Sequence, residues 1–139
     1  MDKRLMVIMV LLLSLFCVKA QTVVKLESSI RPIVKVQIMG KAEYMLIDTG
    51  SSINILSQQT VYKYKARIRT HYAGTVYSTE GYTNAVHVDS VIIKISEMNI
   101  NQFVMINLSS ITDNILQATG IKIAGILGTP AIKELGRLS

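Results

Sequence analysis

The chain has 139 residues, 50% of them hydrophobic, a formal net charge of +6 and a single cysteine. That length accommodates one domain of ordinary size. One cysteine excludes a disulfide framework, and with only His71 and His87 beside it the chain lacks the ligand set of a structural zinc site.

Lys3 and Arg4 precede an apolar run from Leu5 to Val18, which Val18-Lys19-Ala20 closes with a small-residue cleavage site. Residues 1–20 are therefore expected to be a secretory signal peptide, and residues 21–139 an exported domain, periplasmic or secreted. The 14-residue run falls short of the ~18–20 that a spanning helix needs, so no stable membrane span is expected after cleavage. An uncleaved anchor is the alternative reading. Phe16 stands where a lipoprotein signal wants a small residue before Cys17, which argues against lipidation.

Beyond the leader the pattern is β. Val34, Val36 and Ile38 alternate with Lys35 and Gln37, predicting a half-buried strand. Gly40 turns the chain into Glu43–Ile47, and Ile53, Ile55 and Leu56 predict a short return strand. Lys63, Lys65, Arg67 and Arg69 share one side if that segment is extended. A solvated sheet edge is the favoured reading over an acidic partner, and no nucleic acid is expected. His71–Val86 forms a polar hairpin containing Gly74 and Gly81, and its histidine reads as a surface residue, as does His87. Val86 and Val88 alternate with His87 and Asp89, and Val91–Ile95 continues apolar. Met98-Asn99 predicts a turn before a strand over Ile100–Ile106, and Ser109–Gln117 a short helix capped by Ser109 or Ser110. Asn107-Leu108-Ser109 matches a glycosylation sequon, which matters only in a eukaryotic secretory pathway. Thr129 as N-cap, Pro130 at the first helical position and Gly136 as stop predict a late helix, with Ile132 and Leu135 on one buried face. Many short strands and one late helix indicate an all-β barrel or sandwich.

The chemistry is concentrated in Asp48-Thr49-Gly50-Ser51-Ser52, directly after the apolar run Tyr44-Met45-Leu46-Ile47. A carboxylate at the end of a buried strand is costly unless something uses it, and Gly50 permits a tight turn there. Taken alone, Asp-Thr-Gly also suits an ordinary turn. The second motif, Ala124-Gly125-Ile126-Leu127-Gly128 followed by the late helix, changes the balance. Together the two resemble the catalytic loop and the packing element of retropepsin-like, single-lobe aspartic proteases, over about Ile33 to Gly136.

The resemblance implies an all-β, single-lobe closed β-barrel with one short C-terminal helix. It implies an aspartic endopeptidase that needs no cofactor or metal and takes a peptide or protein substrate. Asp48 would be catalytic and paired with Asp48 of a second copy in a homodimer, because the chain carries only one such motif. Thr49 would brace the two loops, the Gly50 N–H would hold the carboxylate, and the Ser51 hydroxyl would donate to it and lower its pKa. Gly74, Thr75, Val76, Tyr77, Gly81 and Tyr82 would form a flap over substrate, and Ile126, Leu127 and Gly128 would pack behind the loop. The family's usual last strand is not evident before Arg137-Leu138-Ser139. That leaves three expectations open: a fragment, a dimer built differently, for example through Thr22–Glu27, or a non-catalytic peptide-binding or structural protein that kept the fold. A basic surface-binding module is a third function reading, resting on Lys63–Arg69 alone.

Overall fold

The computed structural model describes residues 3–4, 24–78, 81–89 and 91–138, so the signal-peptide expectation lies almost wholly outside the described residues. Strand β1 (Ile33–Ile38) follows its sequence alternation, with Val34, Val36 and Ile38 buried and Lys35 and Gln37 exposed. Met39 and Gly40, at φ 50° and 79°, then make a two-residue turn into β2 (Lys41–Ile47). Two successive left-handed residues match the twist of an antiparallel hairpin, and its register runs from Ile33 opposite Leu46 to Ile38 opposite Lys41. The preceding segment folds back on β1, with Leu26 bridged to Val34 and the Glu27 N–H donating to the Ile33 carbonyl at 2.7 Å.

The remaining elements are β3 (Ile55–Ser57), α1 (Gln58–Lys63), β4 (Arg67–Ser78), β5 (Gly81–Asp89), β6 (Ile93–Ile95), β7 (Met98–Ile100), β8 (Phe103–Ile106), α2 (Ser109–Thr119), β9 (Gly125–Leu127) and α3 (Thr129–Leu138). The strands form one curled sheet in the order β4-β5-β8-β3-β9-β2-β1-β6-β7. The expected all-β lobe is present, and the late helix with it. The strand order leaves β4 and β7 at the two ends of the sheet.

Strand β9 organises the centre. It runs parallel to β2, pairing Met45 with Gly125, Leu46 with Ile126 and Ile47 with Leu127, and antiparallel to β3 on its other side. All three residues of β9 and all three of β3 are buried. Their side chains divide between two cores. Leu56 and Leu127 join Val34, Val36, Ile38, Met45, Ile93, Ile95 and Phe103. Ile55 and Ile126 join Ala85, Val104, Ile106 and Leu108 on the opposite face. A strand buried on both faces reads as a continuous apolar run, which is how Gly125-Ile126-Leu127 reads. Helix α2 adds Ile115 to a third cluster with Ile33 and Ile123, and α3 sets Ala131 into the main core.

Several local expectations are corrected. Lys63 to Arg69 is not one strand: Lys63 ends α1, Lys65 sits in a turn at φ 48°, and only from Arg67 is the chain extended. The turn expected at Met98-Asn99 lies at Ser96-Glu97, with Ser96 at φ 53°, and Met98 begins β7 instead. The long strand over Ile100–Ile106 is broken at Asn101-Gln102. Helix α2 is capped from outside rather than by Ser109 or Ser110. The Asn107 side-chain oxygen accepts the Ser109 N–H at 3.0 Å, and the helix continues to Thr119, where Gly120 at φ 74° ends it. Helix α3 already includes Thr129, which puts Pro130 second rather than first, and it passes through Gly136 instead of stopping there.

Candidate active site

The parallel β2–β9 ladder continues one residue past β2, the Asp48 N–H donating to the Leu127 carbonyl at 2.9 Å. That bond fixes where strand ends and loop begins. The Ser51 N–H donates back to the Asp48 carbonyl at 3.2 Å, and the Gly50 N–H donates to Asp48 Oδ1 at 2.8 Å. The carboxylate is thus oriented by its own loop. Asp48 is half-buried, while Thr49, Gly50 and Ser52 are exposed. A Cβ on Gly50 would stand 3.2 Å from that same Oδ1, so glycine keeps the approach open. The Thr49 side chain makes no hydrogen bond among the described residues.

Ser51 departs from expectation. Its hydroxyl has one hydrogen, and it donates that to the Ile53 carbonyl at 2.7 Å, closing the loop on itself rather than donating to Asp48. The Ser51 carbonyl in turn accepts the Thr129 N–H at 2.8 Å from the start of α3. Gly128 lies against the back of the loop so closely that a Cβ there would meet the Ile53 oxygen at 2.3 Å and the Ser51 oxygen at 2.6 Å. Gly125 is as constrained, with a would-be Cβ 2.1 Å from the Ile55 oxygen. The two glycines therefore permit β9 and the start of α3 to touch the backbone that carries the acid.

Asn54 escaped the sequence reading. It is 4% exposed. Its Oδ1 accepts the Gly128 N–H at 2.9 Å, its Nδ2 donates to the Gln102 carbonyl at 3.4 Å, and its own carbonyl accepts the Val104 N–H at 3.0 Å. The available signal was an amide between two isoleucines, Ile53 and Ile55, in a segment otherwise headed for the core.

A family model described as aspartyl protease matches residues 34–131, a span that includes both motifs and the strands that join them. The chain belongs to the aspartyl protease family. No curated protein matches it. Among solved structures, the chain is similar to EIAV protease in complex with the inhibitor HBY-793, at 22% identity and a TM-score of 0.58, over 83% of this chain and 95% of that one. The aspartyl protease chain thus has the retropepsin-like fold of a retroviral protease.

Within that fold the candidate flap is the β4–β5 hairpin. Gly74, Thr75, Val76 and Tyr77 lie on β4 and Gly81 and Tyr82 on β5, with Tyr77 opposite Tyr82 and Ser78 opposite Gly81. Gly81 takes φ 112°, and the register shifts between Tyr72 and Gly74. The hairpin joins the rest of the sheet through its base, where Val86, His87 and Val88 pair with Met105, Val104 and Phe103 of β8. Tyr82 is 77% exposed, far out along this arm. The expected supporting residues are gathered closely: Asp48 bonds to Leu127, and Gly128 packs on Ser51 and Ile53. A cavity of about 710 Å³ lies beside the loop, lined by residues that include Ile53, Asn54, His87, Phe103 and Pro130, and Asp48 is not among its lining residues.

Proposed function

We propose that the chain is an aspartic endopeptidase that hydrolyses peptide bonds as a homodimer, with Asp48 of each copy forming the catalytic pair. The observation that carries this reading is the exposed Asp48-Thr49-Gly50 loop, its carboxylate already aimed by the Gly50 N–H, occurring once per chain. A twofold axis through that loop supplies the second carboxylate without further sequence. The unengaged Thr49 side chain at the same surface is what a loop-to-loop contact would use.

In that pair the carboxylates share one proton, because two like charges a few Å apart do not both ionise readily. The ionised Asp48 takes a proton from water as its oxygen attacks the scissile carbonyl carbon. The protonated Asp48 donates to the carbonyl oxygen. The tetrahedral adduct then collapses: the C–N bond breaks, the amine leaves with a proton from a carboxyl group, and a carboxylic acid remains. The β4–β5 hairpin covers the substrate in this account, with Gly81 at its bend. Export to a periplasmic or extracellular space is part of the proposal, supported by the leader-like residues 1–20.

Cleavage of a peptide library by the purified protein from pH 3 to 7, beside Asp48→Asn, tests it. Cleavage by the parent and none by the variant is the expected result. Equal cleavage by both would place the activity elsewhere, and no cleavage by the parent would favour a non-catalytic peptide-binding protein.

A further inference from the structure

We infer that Asn54 is a positioning residue for Asp48, and that its buried carboxamide is the clamp that sets the catalytic loop against β9 and α3. The inference about catalysis rests on the function proposed above; the inference about the loop does not.

The argument is one of connectivity. Asp48 to Asn54 is a short irregular segment between β2 and β3. Its front end is tied by the Asp48 N–H to Leu127, and its middle by the Thr129 N–H to the Ser51 carbonyl. Both partners flank Gly128, which carries no side chain of its own to hold it. The Gly128 N–H is satisfied by Asn54 Oδ1 at 2.9 Å, from the far end of the same loop. The result is a closed circuit: Asn54 holds Gly128, Gly128 abuts the Ser51 and Ile53 carbonyls, and Thr129 holds Ser51. If Gly128 shifts, Ser51 and the Asp48 turn shift with it. The other end of the carboxamide anchors the circuit to the β7–β8 connection through the Gln102 carbonyl. Among the described residues no buried side-chain polar atom lacks a partner, those of Asn54 included. A buried, satisfied polar group of this kind selects one arrangement, where an apolar side chain would only fill space. Leucine shares the Cγ-branched, four-heavy-atom side-chain skeleton of asparagine but is bulkier and has no group to accept the Gly128 N–H.

The test compares Asn54→Leu, Asn54→Asp and the parent by site-resolved amide exchange and by steady-state kinetics. Exchange at Gly128 and Thr129 is expected to accelerate about ten-fold or more in Asn54→Leu, while Val36 and Ile38 in β1 keep their protection. The kcat is expected to fall about ten-fold or more with KM within about two-fold, the signature of a misplaced reacting group. Asn54→Asp is the conservative variant. When protonated it presents one acceptor and one donor, as the amide does, so its local protection and kcat approach the parent at acid pH and are lost as pH rises and the carboxyl ionises beside the Gln102 carbonyl. Uniform loss of protection across β1 and the loop, or unchanged exchange at Gly128 in a folded Asn54→Leu, would overturn the inference. Should Asn54→Leu not fold, the pH dependence of Asn54→Asp carries the same decision. If the parent cleaves nothing, the exchange result still decides the role of Asn54, and the failure falls on the proposed function alone.

Discussion

At the scale of single residues, Ser51 changes the account most. A hydroxyl beside a catalytic carboxylate invites the reading that it tunes the acid. Here it closes the loop by donating to Ile53. Removing it deletes a local hydrogen bond worth on the order of 1 kcal/mol and leaves the Asp48 carboxylate with its Gly50 partner. Ser51→Ala should therefore lower the thermal midpoint modestly while the pH dependence of cleavage stays where it was, as a melting curve and a pH–rate profile on the same preparation would show. Gly128 was legible as a small residue behind the loop. Its reason is sharper in three dimensions: two carbonyl oxygens occupy the space a Cβ would need. Asn54 was not legible, because its partners Gly128 and Gln102 are 74 and 48 residues away and no local pattern announces a long-range acceptor.

At the scale of elements, strands with one wet face were readable and elements set by single backbone angles were not. The alternation in β1 marked its buried and exposed faces without help. Helix α1 has only Thr60 and Val61 buried in six residues, too few turns for a 3.6-residue period to show. What makes it form is a cap network. The Ser57 oxygen accepts the Thr60 N–H, and the Thr60 hydroxyl donates to the Ala124 carbonyl ahead of β9. Lys65 and Ser96 reverse the chain at positive φ without glycine, so nothing in composition marked those turns. The end of α1 is also tied to β2. Glu43 Oε1 accepts from Lys63 Nζ at 2.6 Å and from the Tyr64 hydroxyl at 2.5 Å. Partial burial alone would raise the Glu43 pKa, but those two hydrogen bonds and the charges of Lys63 and Lys122 outweigh it and hold the carboxyl below its usual range. A folded-state pKa lowered in this way contributes stability in full above the ordinary glutamate pKa, and loses it as pH falls through the lowered value. Glu43→Gln should thus be less stable than the parent near neutrality, with the difference shrinking on acidification. Melting temperatures from pH 3 to 7 for both proteins test that sign; a gap that widened toward acid would contradict it.

At the scale of the molecule, the architecture presents one loop aspartate, which the proposed function makes half of a catalytic centre. Among the described residues a nine-stranded sheet packs against three hydrophobic clusters, and its middle strands deliver one aspartate to an exposed loop. The hydrogen bonds that hold that aspartate come from within the chain, and in the proposed function the second carboxylate comes from another copy. The account therefore stands or falls on whether two copies contribute to one site. The direct measurement is a mixing titration, in which the parent and Asp48→Asn are exchanged through dissociated subunits at constant total concentration and cleavage is followed as a function of composition. If each site needs Asp48 from both copies, an equal mixture should retain about a quarter of the parent activity, with the curve following the square of the parent fraction. Activity proportional to the parent fraction, retaining about half in the equal mixture, would mean that one chain catalyses alone and would contradict the shared pair.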